Sequence, residues 1–214
     1  MSRRPRDTPP SSLRRYRACS PTIRRPSLFY PRRTRLSEFS GLGSQLPNAD
    51  LLIAPYLRRE AVLSSRIEGT RTNLAELLRD EATKGQALGG DVHEVRNYVR
   101  AMQYGLGRLK DFPLSLRLVR EVHQRLMSGV HGDQATPGEF RRSQNWIGPP
   151  GSTLETAAYV PPPPHEMNEA LHHWELFLHD RGSMPDLVQC ALMHEQFEAI
   201  HPFLDGNGRV VGCS

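Results

Sequence analysis

His201, Asp205, Gly206, Asn207, Gly208 and Arg209 fall within one run of nine residues, His201-Pro202-Phe203-Leu204-Asp205-Gly206-Asn207-Gly208-Arg209. An imidazole such as that of His201 accepts a proton near neutral pH. The Asp205 carboxylate is a hard oxygen ligand suited to Mg²⁺, an ion that typically bridges phosphates. Gly206-Asn207-Gly208 permits positive φ and close approach of backbone N–H groups, the makings of an anion-binding nest. Arg209 adds a planar guanidinium fork that matches phosphate, and a helix starting there would turn its N-terminus toward the same anion. Base, metal ligand, nest and cation together imply phosphoryl or nucleotidyl transfer. A turn that merely reverses the chain would account for Asp-Gly-Asn-Gly, but not for the flanking His201 and Arg209.

These residues need a scaffold, and the chain supplies helices. Leu51–Arg66 follows Asp50, a suitable N-cap, and ends at Gly69. Thr72–Ala82 reads as a second helix. After Gly89-Gly90, Asp91 with Glu94 three residues on has the look of a capping box. Val92, Val95, Val99, Met102, Leu106 and Leu109 then trace one apolar stripe. Another helix spans about Leu114–Met127. Phe140–Ile147 and Ala157–Val160 flank Gly148-Pro149-Pro150-Gly151, a pattern that predicts a small β-hairpin. Met167, Leu171, Trp174 and Leu178 mark a further helix, closed by Gly182. The last, Asp186–Ile200, is apolar on nearly every side of its first turns, which predicts a central, buried helix running straight into His201. The fold class read from this is all-α, a helical bundle with one hairpin.

Composition bounds the rest. The chain has 214 residues, 37% of them hydrophobic, and no apolar run long enough for a membrane span. Its net charge of +5 is uneven. Residues 1–36 hold 11 Arg, Asp7 as sole acid and no hydrophobic period, so they read as a disordered basic tail. The remainder is mildly acidic. Arg pairs in the tail can neutralise phosphates, but no folded reader or interleaved aromatics accompany them, so nucleic acid is not the expected partner. Cys19, Cys190 and Cys213 are too scattered for a zinc site or a disulfide framework. With no secretory signal in view, a cytoplasmic location is expected.

The run His201–Arg209 matches eight specified positions of the signature H-P-F-x-[DE]-G-N-G-R-x-x-R, and the chain thereby resembles the Fic (Fic/Doc, Fido) family. Ser143–Gly148 and the residues to Val160 are similar to that family's hairpin flap, which holds the target segment; Ile147, Gly148, Ala158 and Tyr159 are its candidate residues here. Ser64-Ser65-Arg66-Ile67-Glu68-Gly69 fits the family's inhibitory pattern [ST]-x-x-x-E-[GN]. The resemblance covers about residues 40–211. It implies a Fic-type bundle divided into residues 37–110, an N-terminal helical region with Ser64, Glu68 and Gly69 as the inhibitory motif, and residues 111–214, the Fic core. It further implies transfer of AMP from ATP to a Ser, Thr or Tyr hydroxyl of a target protein. His201 would be the base, Asp205 the Mg²⁺ ligand, and Gly206, Asn207, Gly208 and Arg209 the phosphate cradle. Glycine at 206, where the family's Doc-type kinases carry lysine, favours nucleotidyl transfer. The resemblance also allows a homodimer.

The signature's final Arg falls on Gly212, which leaves Glu68 without its usual partner. Val210–Ser214 is expected to be too short for the helix that follows the motif, giving a Fic core truncated after the signature and lacking the C-terminal helices. Autoinhibition through Glu68 and weakened activity are expected together. The alternatives are an inactive Fic remnant serving as an interaction module, or a hydrolase that removes AMP.

Overall fold

The computed structural model describes residues 50–67, 69–83, 89–129, 136–180 and 184–213. The expected basic tail, residues 37–49, Glu68 and Gly182 lie outside them. Among the described residues seven helices follow in chain order: α1 (Asp50–Ile67), α2 (Leu74–Ala82), α3 (Gly89–Arg108), α4 (Leu116–Leu126), α5 (Pro164–His179), α6 (Asp186–Ile200) and α7 (Asn207–Cys213). The architecture is the all-α bundle that the periodicity predicts. The core is built from one stripe per helix. Val95, Tyr98 and Val99 of α3 meet Leu118, Val119, Val122 and Leu126 of α4, and these two helices share the largest helix–helix contact among the described residues. Met167, Leu171, Trp174 and Leu178 of α5 are all buried, as their spacing predicts.

Several expectations need correction. Helix α3 starts at Gly89, so Asp91 lies inside its first turn and does not cap it. The Asp91 carboxylate instead accepts the Arg71 N–H at 2.8 Å, tying down the turn before α2. The capping box belongs to α2: Asn73 accepts the Glu76 N–H, and Glu76 accepts the Asn73 N–H, each at 3.0 Å. The far end of the expected stripe, Leu106 in α3 and Leu109 just beyond it, is exposed. Helix α6 is not central. Leu187 is 62% exposed and only Gln189, Phe197 and Ile200 are buried. Apolar residues on every side gave no clue to which side faces inward, and the helix sits on the bundle's flank. The expected hairpin reduces to one antiparallel bridge, Ile147 with Tyr159, with two hydrogen bonds of 2.8 and 3.0 Å. The prolines on both sides carry no N–H to extend the ladder.

The largest departure is α7. A helix this short is marginal alone, yet residues 207–213 form one. Val210 and Val211 are buried, and the helix touches α1, α3, α4 and α6. Tertiary burial therefore supplies what nucleation lacks, and the motif loop does feed a helix. Gly212 is part of the reason. A Cβ at this position would overlap the phenol oxygen of Tyr98 and come within 3.6 Å of Ser64 Oγ. Glycine lets the α7 backbone lie directly against α3 and the end of α1.

Candidate active site

The site begins where α6 ends. His201 is the C-cap of that helix, in the left-handed conformation at φ 48° and ψ 61°, with its N–H donating to the Phe197 carbonyl at 2.9 Å. Among the described residues it is the one non-glycine with positive φ. Such backbone is strained for a residue with a Cβ, so something must hold it. Arg141 does. This side chain is 2% exposed, and its guanidinium donates to the carbonyls of His201 (2.9 Å), Ser143 (3.1 Å), Ile200 (3.4 Å) and Pro162. Its own N–H donates to the Pro202 carbonyl at 2.9 Å. One buried cation thus fixes both sides of the left-handed turn. Burial, and then the nearby Arg141 charge, hold the His201 pKa below the usual histidine value, against smaller opposing pulls from the Glu198 carbonyl and Asp205. A neutral imidazole is what a base requires.

The next turn carries the carboxylate. Asp205 is half exposed, and its Oδ1 accepts the Gly206 N–H at 2.6 Å. Gly206 has φ +75°, and a Cβ there would lie 2.9 Å from Met127 Sδ, so both conformation and space call for glycine. With α7 following directly, the N–H groups of Asn207, Gly208 and Arg209 have no preceding helical carbonyl to bond. The Asn207 side chain is buried and closes the loop on itself: Oδ1 accepts the Phe203 N–H and Nδ2 donates to the Phe203 carbonyl, both at 2.9 Å. Its contribution to an anion is therefore through the backbone. Arg209 is 3% exposed and turned inward, with Nη1 donating to Glu94 Oε2 at 3.1 Å and Nη2 lying 3.8 Å from Asp205 Oδ2.

His123 was passed over in the sequence, where it sits on the apolar face of α4 like any core residue. It is 1% exposed and stacks on Phe203, ring centroids 3.7 Å apart. Its Nδ1 accepts the Gly138 N–H at 2.8 Å, so the proton is on Nε2, which donates to the Asp205 carbonyl at 3.1 Å. One imidazole therefore joins the motif loop to the segment that leads into Arg141. Burial pushes its pKa down to about 4, from the ordinary histidine value of 6.5. The unfolded chain binds the extra proton first, so His123 contributes its full stability above about pH 6.5 and loses it progressively as pH falls toward 4. In EDTA, the melting temperature of the unaltered chain is expected to fall between pH 7 and 4.5. His123→Gln is expected to melt lower at pH 7 and to show a flatter pH dependence. Parallel slopes for the two proteins would refute the assignment.

The flap residues border this site. Ile147, Gly148 and Ala158 are exposed, and the half-buried Tyr159 donates its hydroxyl to the Ala199 carbonyl at 2.7 Å, two residues before His201. Asn145 Nδ2 donates to the Phe203 carbonyl at 3.3 Å. The flap is thus tied to the end of α6 and to the start of the motif. Ser64 donates to Glu60 at 2.6 Å and adjoins Gly212; Gly69, at φ +100°, terminates α1. Glu68, between them, lies outside the described residues. Arg141 and Glu94 were also missed, and only Gly138 three residues before Arg141, in a segment without helical period, hinted at a fixed turn there.

Comparison with known proteins agrees with this architecture. A family model described as Fic/DOC family N-terminal matches residues 32–107, and one described as Fic/DOC family matches residues 113–211. The chain is 30% identical over 151 residues to the protein adenylyltransferase Fic of Aedes aegypti, and 29% identical over 149 residues to that of Drosophila ananassae. Each alignment takes in 67% of this chain, which spans 28% of the length of either relative. A crystal structure of a Fic family protein from Desulfovibrio desulfuricans superposes with a TM-score of 0.66 at 23% identity, over 89% of this chain and 56% of that one. A Fic domain containing signaling protein from Bacteroides thetaiotaomicron gives 0.67 at 20%, over 84% and 68%. No helix among the described residues is long and apolar enough to cross a membrane. With both family models aligned along most of its length, and with the signature run folded into a clamped loop between two helices, the chain belongs to the Fic/DOC family.

Proposed function

We propose that this chain transfers AMP from ATP to a hydroxyl group of a target protein. The observation that carries the reading is the clamped left-handed turn at His201, which fixes a neutral imidazole four residues before a half-exposed carboxylate and a glycine nest. In the step proposed, the target hydroxyl attacks the α-phosphorus and its proton passes to His201. The bond from the α-phosphorus to the bridging oxygen breaks, and pyrophosphate leaves. Backbone N–H groups of residues 207–209 receive phosphate oxygens in the nest that the positive φ of Gly206 opens. The exposed flap residues beside the Ile147–Tyr159 bridge, Gly148 and Ala158, would pair their backbone with an extended target segment. Gly206 leaves no side chain at the position where the family's kinases place lysine.

The donor set fits Mg²⁺. Among the described residues no group of three or more His, Cys, Asp and Glu forms a protein cage, and Mg²⁺ typically takes only one or two carboxylates, filling its remaining positions with phosphate oxygens and water. Asp205 Oδ2, on a half-exposed side chain, would hold it. When bound, the ion neutralises the charge that builds on the phosphates. Regulation through Glu68 is part of the proposal, weakened by Gly212 in place of its arginine partner.

The relatives named protein adenylyltransferase support the reading. It is tested by incubating the chain with ATP labelled at the α- or the γ-phosphate, with Mg²⁺ and a protein acceptor pool. Label retained on protein from α-labelled ATP alone is the expected result. Retention from γ-labelled ATP would make the chain a kinase, and retention from neither would favour the binding-module alternative.

A further inference from the structure

We propose that Glu94 is a positioning residue that draws Arg209 away from Asp205 and so keeps the Asp205 carboxylate open to a divalent cation. The inference rests on the reading of Asp205 as the metal ligand. Glu94 comes from α3, far from the motif in sequence, and no feature of the signature points to it. Arg209 is 3% exposed, so its charge needs a counter-charge inside the protein. Two carboxylates lie within reach. Glu94 Oε2 is 3.1 Å from Nη1, and Asp205 Oδ2 is 3.8 Å from Nη2. The remaining surroundings are poor: Nη2 faces Met127 Sδ at 3.7 Å, and Nε is buried without a partner.

The geometry sets up a competition. Asp205 Oδ1 is occupied by the Gly206 N–H, so Oδ2 is the oxygen left for a metal ion. It is also the oxygen nearest Arg209. With Glu94 in place, the guanidinium hydrogen-bonds on the α3 side, and its ion pair with Asp205 stays at 3.8 Å, beyond hydrogen-bond distance. Without the Glu94 charge, Asp205 is, among the described residues, the one carboxylate left beside a buried cation, and a half-exposed side chain is free to rotate toward it. Closing that pair would remove from the metal the oxygen it needs. Glu94 thus acts one residue removed from the ligand, through Arg209.

The test separates metal from nucleotide. A fluorescent ATP analogue is titrated onto the unaltered chain and Glu94→Gln, first in EDTA and then over a range of Mg²⁺ concentrations. Glu94→Gln is expected to raise the Mg²⁺ concentration giving half-maximal binding by about tenfold or more, as loss of an outer-sphere partner does elsewhere, while nucleotide affinity in EDTA stays level. Glu94→Asp, which keeps the charge, is expected to recover most of the Mg²⁺ response. Should the glutamine variant not fold, the aspartate variant is read alone, and its shorter reach must raise the midpoint measurably. An unchanged midpoint would overturn the inference, as would an equal loss of affinity with and without Mg²⁺, which marks a merely structural residue. If the unaltered chain shows no Mg²⁺-dependent nucleotide binding at all, the metal assignment of Asp205 fails, and this inference fails with it.

Discussion

Replacing His201 with asparagine is expected to lower AMP transfer by about 10²- to 10⁴-fold, the usual worth of a positioned base, while leaving the fold intact. Asparagine is the informative choice because position 201 is left-handed. Asn tolerates that conformation better than other residues with a Cβ, so the variant removes the base without forcing the turn. His201→Ala adds backbone strain to the same chemical loss and is expected to melt lower than His201→Asn. Nucleotide binding should survive in the asparagine variant, since no phosphate contact is assigned to the imidazole. The lowered pKa carries a sign of its own. A base is active when neutral, so the rate at subsaturating ATP should fall off at a lower pH than an unperturbed histidine would give. His201→Asn labelling protein as fast as the unaltered chain, in quenched-flow or gel-based single turnovers, would remove His201 from the mechanism.

Arg141→Met is expected to be the most damaging single change to stability. The methionine keeps much of the packing but withdraws every donor from the carbonyls of His201, Ser143, Pro162 and Ile200. Each buried acceptor left unpaired costs about 1–3 kcal/mol. The total loss should therefore exceed about 3 kcal/mol, a large part of the roughly 5–15 kcal/mol by which a domain is stable. Urea unfolding measures it. Arg141→Lys should recover little, because a single ammonium cannot span four carbonyls set by a planar fork. A loss below about 1 kcal/mol for the methionine variant, within the range of an ordinary single hydrogen bond, would mean that the left-handed turn at His201 is held by something else.

The helices and the motif were legible in the sequence for different reasons. Stripes such as Met167-Leu171-Trp174-Leu178 bury because one periodic face leaves no choice of side. Asp186–Ile200 has no such face, and composition without period gave the wrong depth for α6. His201–Arg209 was readable because its chemistry is contiguous. Arg141, His123 and Glu94 were not, since each is a single residue paired across a long span of chain, His123 with Gly138 at 15 positions, Arg141 with His201 at 60 and Glu94 with Arg209 at 115. Nothing local separates a buried guanidinium from a solvated one. Helix α7 was misjudged by applying the cost of an isolated helix to one whose valines are buried against four neighbours.

The contact between Gly212 and the Tyr98 phenol makes positions 98 and 212 a single unit of change. Any side chain at 212, the signature's arginine included, must displace either the phenol or the helix that carries the phosphate loop. Restoring the arginine alone is therefore not a gain of the missing group but a wedge. Gly212→Arg should lower the melting temperature, and Tyr98→Ala in the same chain should relieve part of that loss, although each change alone destabilises. Two substitutions that are harmful singly and milder together would mean that this chain cannot return to the family's arginine by one step. Its path back runs through a paired exchange, in which the space now filled by a ring on α3 is vacated before a charge enters from α7.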